Sequence, residues 1–243
     1  MRIQVINPNT SQAMTHKIGI AAQAVARAGT EIFACCPEDG PESIEGHFDE
    51  AIAAVGMLEE IQKGVAQGYD AHIIACFGDP GLLAARELAI GPVIGIAEAA
   101  FHVASLVATR FAVITTLGRT RIIAEHLLQR YGMHDLCTSV SCLEIPVLAL
   151  ESCNDALIER IAAEGRRLRD EDGAGAIVLG CGGMADLRHV LSEAIGIPVV
   201  EGVSAAVKLS ESLVELGLGT SKQGDLAYPL SKRFIGRYAH LSR

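Results

Sequence analysis

Apolar residues along the chain come in two rhythms. Short runs of four or five, at residues 3–6, 31–35, 71–75 and 92–96, are bounded by Gly, Pro and Asn clusters and predict buried strands. Between them, residues 48–67 and 82–88 repeat apolar positions at helical spacing, and Asn7-Pro8-Asn9-Thr10-Ser11 is a turn cluster that can cap a helix running to about Ala28. Strands that alternate with helices imply right-handed βαβ units and a mostly parallel sheet, an α/β fold.

After Ala97 the pattern starts again. Val113-Ile114-Thr115-Thr116 echoes Val5-Ile6-Asn7-Pro8, Ile177 to Cys181 echoes His72 to Cys76, and the segment beginning Pro198-Val199-Val200 echoes Pro92-Val93-Ile94. Three blocks in the same order predict a duplicated α/β lobe, with parallel sheets related by a pseudo-twofold and a cleft between them. The expected division is a first lobe over 1–97, to which 207–243 returns, and a second over 98–206.

Composition narrows the function. The net charge of −9 offers no basic footprint for nucleic acid or an anionic membrane surface. No apolar run approaches the ~20 residues of a membrane span, and the first residues lack the pattern of a signal peptide. Seven cysteines, an odd number at irregular positions, argue against a disulfide framework and for a cytoplasmic protein with reduced thiols.

The duplication sorts those cysteines. Cys76 and Cys181 occupy matching positions, each where an apolar strand ends and a glycine-containing turn begins. Ligands of open parallel sheets bind outside the carboxyl ends of the strands. Two thiols facing one cleft would suit removal of a proton from one face of a carbon and its return on the other, and a helix N-terminus beside each sulfur would lower its pKa. Cys35, Cys36, Cys137, Cys142 and Cys153 have no partner in the repeat and read as packing residues.

Read as motifs, Val5-Ile6-Asn7-Pro8-Asn9-Thr10-Ser11, Ser43-Ile44-Glu45-Gly46, Ala75-Cys76-Phe77-Gly78-Asp79-Pro80-Gly81 and Gly180-Cys181-Gly182-Gly183-Met184 resemble the aspartate/glutamate/hydantoin racemase superfamily, in its hydantoin and allantoin branch. The resemblance implies two Rossmann-like lobes, homo-oligomers, no cofactor, and a two-base mechanism on a small cyclic ureide, with allantoin preferred and a role in purine degradation. Superfamily members acting on free amino acids carry Asn-Thr and Thr-His after the two cysteines. Here Phe77-Gly78 and Gly182-Gly183 stand there and suit a flat neutral ring better than a zwitterion. Malonate decarboxylases keep only one of the cysteines, so retention of both favours racemisation.

On this reading Cys76 and Cys181 are the catalytic pair. Asn7, Ser43, Ile44, Phe77, Gly78, Thr115, Thr116, Gly182 and Gly183 are expected to bind substrate, with Asn7, Thr116 and turn amides facing the developing oxyanion. Asp79 reads as a helix cap and Glu98 as a group orienting polar neighbours near the cleft. His47, Asp49 and Glu50 could gather a metal but equally form an ordinary solvated helix start, and no metal is expected. Two rivals remain. Gly180 to Ala185 fits the dinucleotide pattern G-x-G-x-x-A with Glu201 about 20 residues on. A two-lobed small-molecule binding protein or thiol sensor would use the same duplicated frame.

Overall fold

The computed structural model describes residues 1–152 and 154–241; Cys153 lies outside the described residues. The first sheet comprises β1 (Arg2–Ile6), β2 (Glu31–Cys35), β3 (Ala71–Ile74) and β4 (Val93–Gly95) in the order β2-β1-β3-β4. The second comprises β5 (Phe111–Thr115), β6 (Cys137–Cys142), β7 (Ala176–Leu179) and β8 (Val199–Glu201) in the order β6-β5-β7-β8. All pairings are parallel, and Ile3 lies beside both Ile32 and Ala71.

Helices α1 (Gln12–Val25), α2 (His47–Ala66), α3 (Leu82–Leu88) and α4 (Ile96–Val107) follow the strands of the first half. Helices α5 (Arg121–Arg130), α6 (Asp155–Asp170), α7 (Arg188–Ile195) and α8 (Gly202–Glu215) follow those of the second. Helices cover both faces of each sheet, which is why the central strands read as unbroken apolar runs.

Side chains alternate across the strands with period two. Ile3, Val5, Ala71 and Ile73 face a core shared with Phe101, Phe111, Val178 and Val203 of the second half. Their neighbours Ile6 and Ile74 face an outer cluster with Met57, Ile61 and Leu82. Ile114, Ile177 and Leu179 do the same with Ile161 and Leu191. One polar pair interrupts the core. His72 Nδ1 lies 2.7 Å from Gln4 Oε1, and burial lowers the imidazole pKa to about 4, so the ring is neutral at physiological pH.

Ser11 caps α1 by accepting the Met14 N–H at 3.1 Å. The helix stops at Val25 rather than near Ala28. Ala26 is extended, and the Arg27 N–H turns to Glu211 Oε1 of α8 at 2.9 Å. A tertiary acceptor thus outcompetes the last helical turn.

Two helices join the halves. α4 leaves β4 and packs on β7, β8 and α5, whereas α8 leaves β8 and packs on α1, β3 and β4. They meet at their starts so closely that a Cβ on Gly202 would stand 2.3 Å from the Ile96 carbonyl oxygen. Beyond α8 the chain lies along α3, held by Thr220 N–H to Ile90 O at 2.7 Å and Lys222 Nζ to Glu87 O at 3.2 Å.

Gly202→Ala forces backbone apart at this crossing. It is expected to cost about 1–3 kcal/mol, the usual range for overpacking, read from the urea midpoint at unchanged m-value. An unchanged midpoint would show that the crossing tolerates separation.

Candidate active site

β3 and β7 are central strands, each followed two residues after its end by a cysteine, Cys76 and Cys181. Their ends abut, since a Cβ on Gly182 would lie 2.8 Å from the Ala75 carbonyl oxygen. Cys76 and Cys181 both line the pocket formed there, together with Asn7, Ile44, Phe77, Gly78, Thr115, Thr116 and Gly182. Ser43 and Gly183, also expected to touch substrate, are not among the lining residues. Ser43 sits in the loop before α2. Gly183 is buried, and a Cβ there would lie 3.1 Å from the Leu150 side chain.

The two thiols are held alike. Cys76 Sγ takes a hydrogen bond from the Gly78 N–H, and Cys181 Sγ one from the Gly183 N–H. These donors do not give low-pKa sulfurs. Burial dominates at Cys76 and pushes its thiol far above the ordinary range; nearby Cys181, Glu50 and Asp79 push the same way. Burial also raises Cys181, to about 11, against the Gly183 N–H and Lys17, with Glu45 adding to the rise.

The expectation of depressed pKa values is therefore corrected, for a structural reason. α3 begins only at Leu82, well past Cys76, and Cys181 opens a three-residue 3-10 turn, Gly182–Met184, rather than an α-helix. Single N–H donors do not offset desolvation of a buried thiolate.

One expected oxyanion donor, Asn7, and one expected binding residue, Thr115, have their side chains committed elsewhere. Asn7 Nδ2 donates to Asn9 Oδ1 at 2.6 Å and Thr15 Oγ1 at 3.0 Å, which organises the Asn-Pro-Asn loop. Thr115 Oγ1 donates to Gly180 O at 3.0 Å and fastens β5 to the end of β7. Thr116 lines the pocket and is buried.

The loop before α2 bridges the cleft. Glu45 Oε1 accepts the Val147 N–H at 2.8 Å, and Ser11 Oγ donates to Glu151 Oε1 at 2.5 Å. Lys17 Nζ joins the same seam, donating to Leu150 O at 2.8 Å and pairing with Asp186 at 3.0 Å.

Asp79 is a cap, but of α4 rather than of the helix that follows it. Its carboxylate accepts the Ala97 and Glu98 N–H groups at 3.1 and 2.9 Å. Burial raises it to about 7 despite these donors and the Tyr131 hydroxyl. Glu98 pairs with Arg86 at 2.5 Å and does not line the pocket, contrary to the expectation that it works near the cleft.

Glu50 was the residue missed. It is the one carboxylate among the described lining residues, raised by burial and 3.8 Å from His47. Asp49 accepts the Glu45 N–H, and among the described residues no three His, Cys, Asp or Glu side chains group as a metal site. Met14 and Ile123 also line the pocket. The repeat could have found them, because each is the third residue of the helix after its lobe's first strand.

The dinucleotide reading fails on two counts. Its second glycine, Gly182, opens a 3-10 turn rather than an α-helix, and Glu201 is buried as the cap of α8, accepting the Val203 and Ser204 N–H groups at 2.8 and 2.7 Å. Of the remaining cysteines described, Cys35, Cys36, Cys137 and Cys142 are half-buried rather than core residues.

Comparison with known proteins agrees with this architecture. Residues 3–210 match the Asp/Glu/Hydantoin racemase family, and the chain belongs to it. It is 45% identical to a hydantoin racemase of Pseudomonas sp. (strain NS671), over 100% of this chain and 98% of that one. Among solved structures, an allantoin racemase from Klebsiella pneumoniae superposes with a TM-score of 0.97 at 61% identity, covering 100% of this chain and 99% of that one. An allantoin racemase from Pseudomonas fluorescens does so with 0.93 at 41%, covering 97% and 100%. The protein is a racemase of the hydantoin and allantoin type, an isomerase, and among the described residues no helix is long and apolar enough to cross a membrane.

A raised thiol leaves little thiolate at neutral pH. Alkylation of Cys181 in the free protein should climb about tenfold per pH unit from 7 to 10 without levelling, whereas an unperturbed thiol levels above its pKa of about 8.5. Per-residue mass spectrometry after iodoacetamide treatment reads this. A plateau already reached by pH 8 would contradict the desolvated site.

Proposed function

We propose that this chain is an allantoin racemase in which Cys76 and Cys181 exchange the C5 proton of a cyclic ureide. The observation that carries the reading is their equivalence: two thiols at the ends of equivalent strands line one pocket, each with a glycine N–H on its sulfur.

The C5 hydrogen of such a ring is flanked by a carbonyl and a nitrogen, so its loss leaves an enolate delocalised into the carbonyl. One cysteine acts as thiolate and takes the proton, while the other, as thiol, delivers its own proton to the opposite face. The thiolate becomes thiol and the thiol becomes thiolate, so the charge of the pair is unchanged. The pair is left in the state that serves the opposite direction, and exchange of a proton with solvent resets it.

Repulsion between the two sulfurs disfavours ionisation of both at once, so a thiolate on one side leaves a thiol on the other. Lys17 near Cys181, against Glu50 and Asp79 near Cys76, makes Cys181 the easier of the two to ionise. Ile44 and Phe77 would wall the ring, and Gly78, Gly182 and Thr116 would line its polar edge. The division into 1–97 with 207–243, and 98–206, is part of the same proposal; the packing of α8 on α1, β3 and β4 supports it.

Allantoin is favoured by the 61% identity to the Klebsiella pneumoniae enzyme. A second reading, racemisation of 5-alkyl or 5-aryl hydantoins, draws on the 45% identity to the Pseudomonas hydantoin racemase and on the apolar walls that Met14, Ile123 and Val147 add.

Polarimetry with single enantiomers of allantoin, 5-benzylhydantoin and glutamate separates these readings. Rotation should be lost fastest with allantoin. Cys76→Ser and Cys181→Ser should each slow that loss at least about a thousandfold, within the span typical of removing an acid–base group. Faster loss with benzylhydantoin would favour the second reading. Parent-rate racemisation by either variant would rule out the two-base reading.

A further inference from the structure

The repeat breaks its own symmetry at the turn that carries Cys76. α8 is capped by Glu201, the residue immediately before it. The equivalent helix α4 is capped from a distance, by the carboxylate of Asp79, which lies three residues beyond Cys76.

Asp79 is 2% exposed and adopts a left-handed backbone with φ 44°, unusual for a residue other than glycine. Its N–H closes the turn onto the Cys76 carbonyl at 3.0 Å. Its carboxylate reaches α4 only because position 95 lacks a side chain, as a Cβ on Gly95 would lie 2.2 Å from Asp79 Cγ.

A third donor comes from the other half of the molecule. Tyr131, directly after α5, donates its hydroxyl to Asp79 Oδ2 at 2.8 Å. The same ring packs against Phe101 of α4, with centroids 6.4 Å apart, and Phe101 meets Phe77 edge-to-face at 5.4 Å. Tyr131 thereby restrains both neighbours of Gly78, Asp79 by a hydrogen bond and Phe77 through Phe101. Gly78 is the residue whose N–H rests on Cys76 Sγ.

We propose that Tyr131 is a positioning residue for Cys76: acting through Asp79 across the two halves, it holds the turn that keeps the Gly78 N–H on the sulfur. The inference rests on the reading of Cys76 as one of the two bases. A hydrogen bond to a buried carboxylate is of the stronger kind, and its loss would free a backbone conformation that has little intrinsic preference. Cys181 has its own N–H from Gly183 and is not reached by this chain of contacts.

Tyr131→Phe removes the hydroxyl and keeps the ring. The test compares the parent, Tyr131→Phe, Asp79→Asn and the double variant. It measures iodoacetamide alkylation of each cysteine at one fixed pH by mass spectrometry, and kcat and KM with single enantiomers of allantoin.

The Cys76 rate should fall at least about threefold in Tyr131→Phe, because the sulfur loses its donor, while the Cys181 rate holds. kcat should drop about tenfold with KM within about twofold, as for misplacement of a reacting group. The double variant should be no worse than Asp79→Asn alone, the mark of two groups acting as one.

An unchanged Cys76 rate, or equal shifts at both cysteines, would overturn the proposal. Should Tyr131→Phe not fold, the same comparison in Asp79→Asn decides it by the same two outcomes. The alkylation readout does not depend on turnover. Failure of the two-base reading would instead show as parent-rate racemisation by Cys76→Ser.

Discussion

The contact between the starts of α4 and α8 sets the rest of the structure. Because Gly202 presses against the Ile96 carbonyl, each half sends one helix into the other, and the apolar faces of both sheets close over a single shared core. That core holds the carboxyl ends of β3 and β7 against each other, with Gly182 beside the Ala75 carbonyl. The two thiols share one pocket because the backbones behind them have nowhere else to go. A helix exchange that buries apolar surface from both halves is also the arrangement in which one half can act on the other's site, as Tyr131 of the second half does on Asp79 of the first.

Desolvation is the second consequence. Packing the strand ends together surrounds the two half-buried cysteines with protein, so desolvation outweighs the glycine N–H at each sulfur and both thiols prefer their protons. For a reaction that needs one thiolate and one thiol, this is a workable balance. A pair of freely ionising cysteines would both deprotonate at high pH and leave no acid, whereas a pair that resists ionisation keeps a proton available on one face whenever the other is charged. The cost is a small population of the active ionisation state, which the charges of Lys17 on one side and Glu50 and Asp79 on the other direct toward Cys181.

Much of this was legible in the residues. Unbroken apolar runs in strands covered on both faces, and the echo of His72 to Cys76 in Ile177 to Cys181, are local signals that survive folding. What stayed hidden depends on neighbours distant in sequence. Asp79 looked like a cap for the helix beside it, yet its acceptors face α4, because Gly95 leaves room for them. Asn7 looked like a free donor, but its amide hydrogens are spent on Asn9 and Thr15. Glu50 read as a solvated first-turn acid, and only the docking of α2 beside Gly78 turns it into the pocket. The sign of the thiol shifts was misjudged for the same reason, since a strand–turn pattern shows an approaching N–H but not how much water is excluded.

The central claim is that two different groups handle the proton on the two faces of the carbon. Its most direct test is turnover of one allantoin enantiomer by the unaltered enzyme in deuterium oxide, with C5 isotope content measured in both enantiomers at early conversion. Two bases predict that the newly formed enantiomer carries deuterium from solvent while the remaining substrate still carries protium. A product that retains the substrate's own hydrogen would mean that one group serves both faces, and would contradict the account.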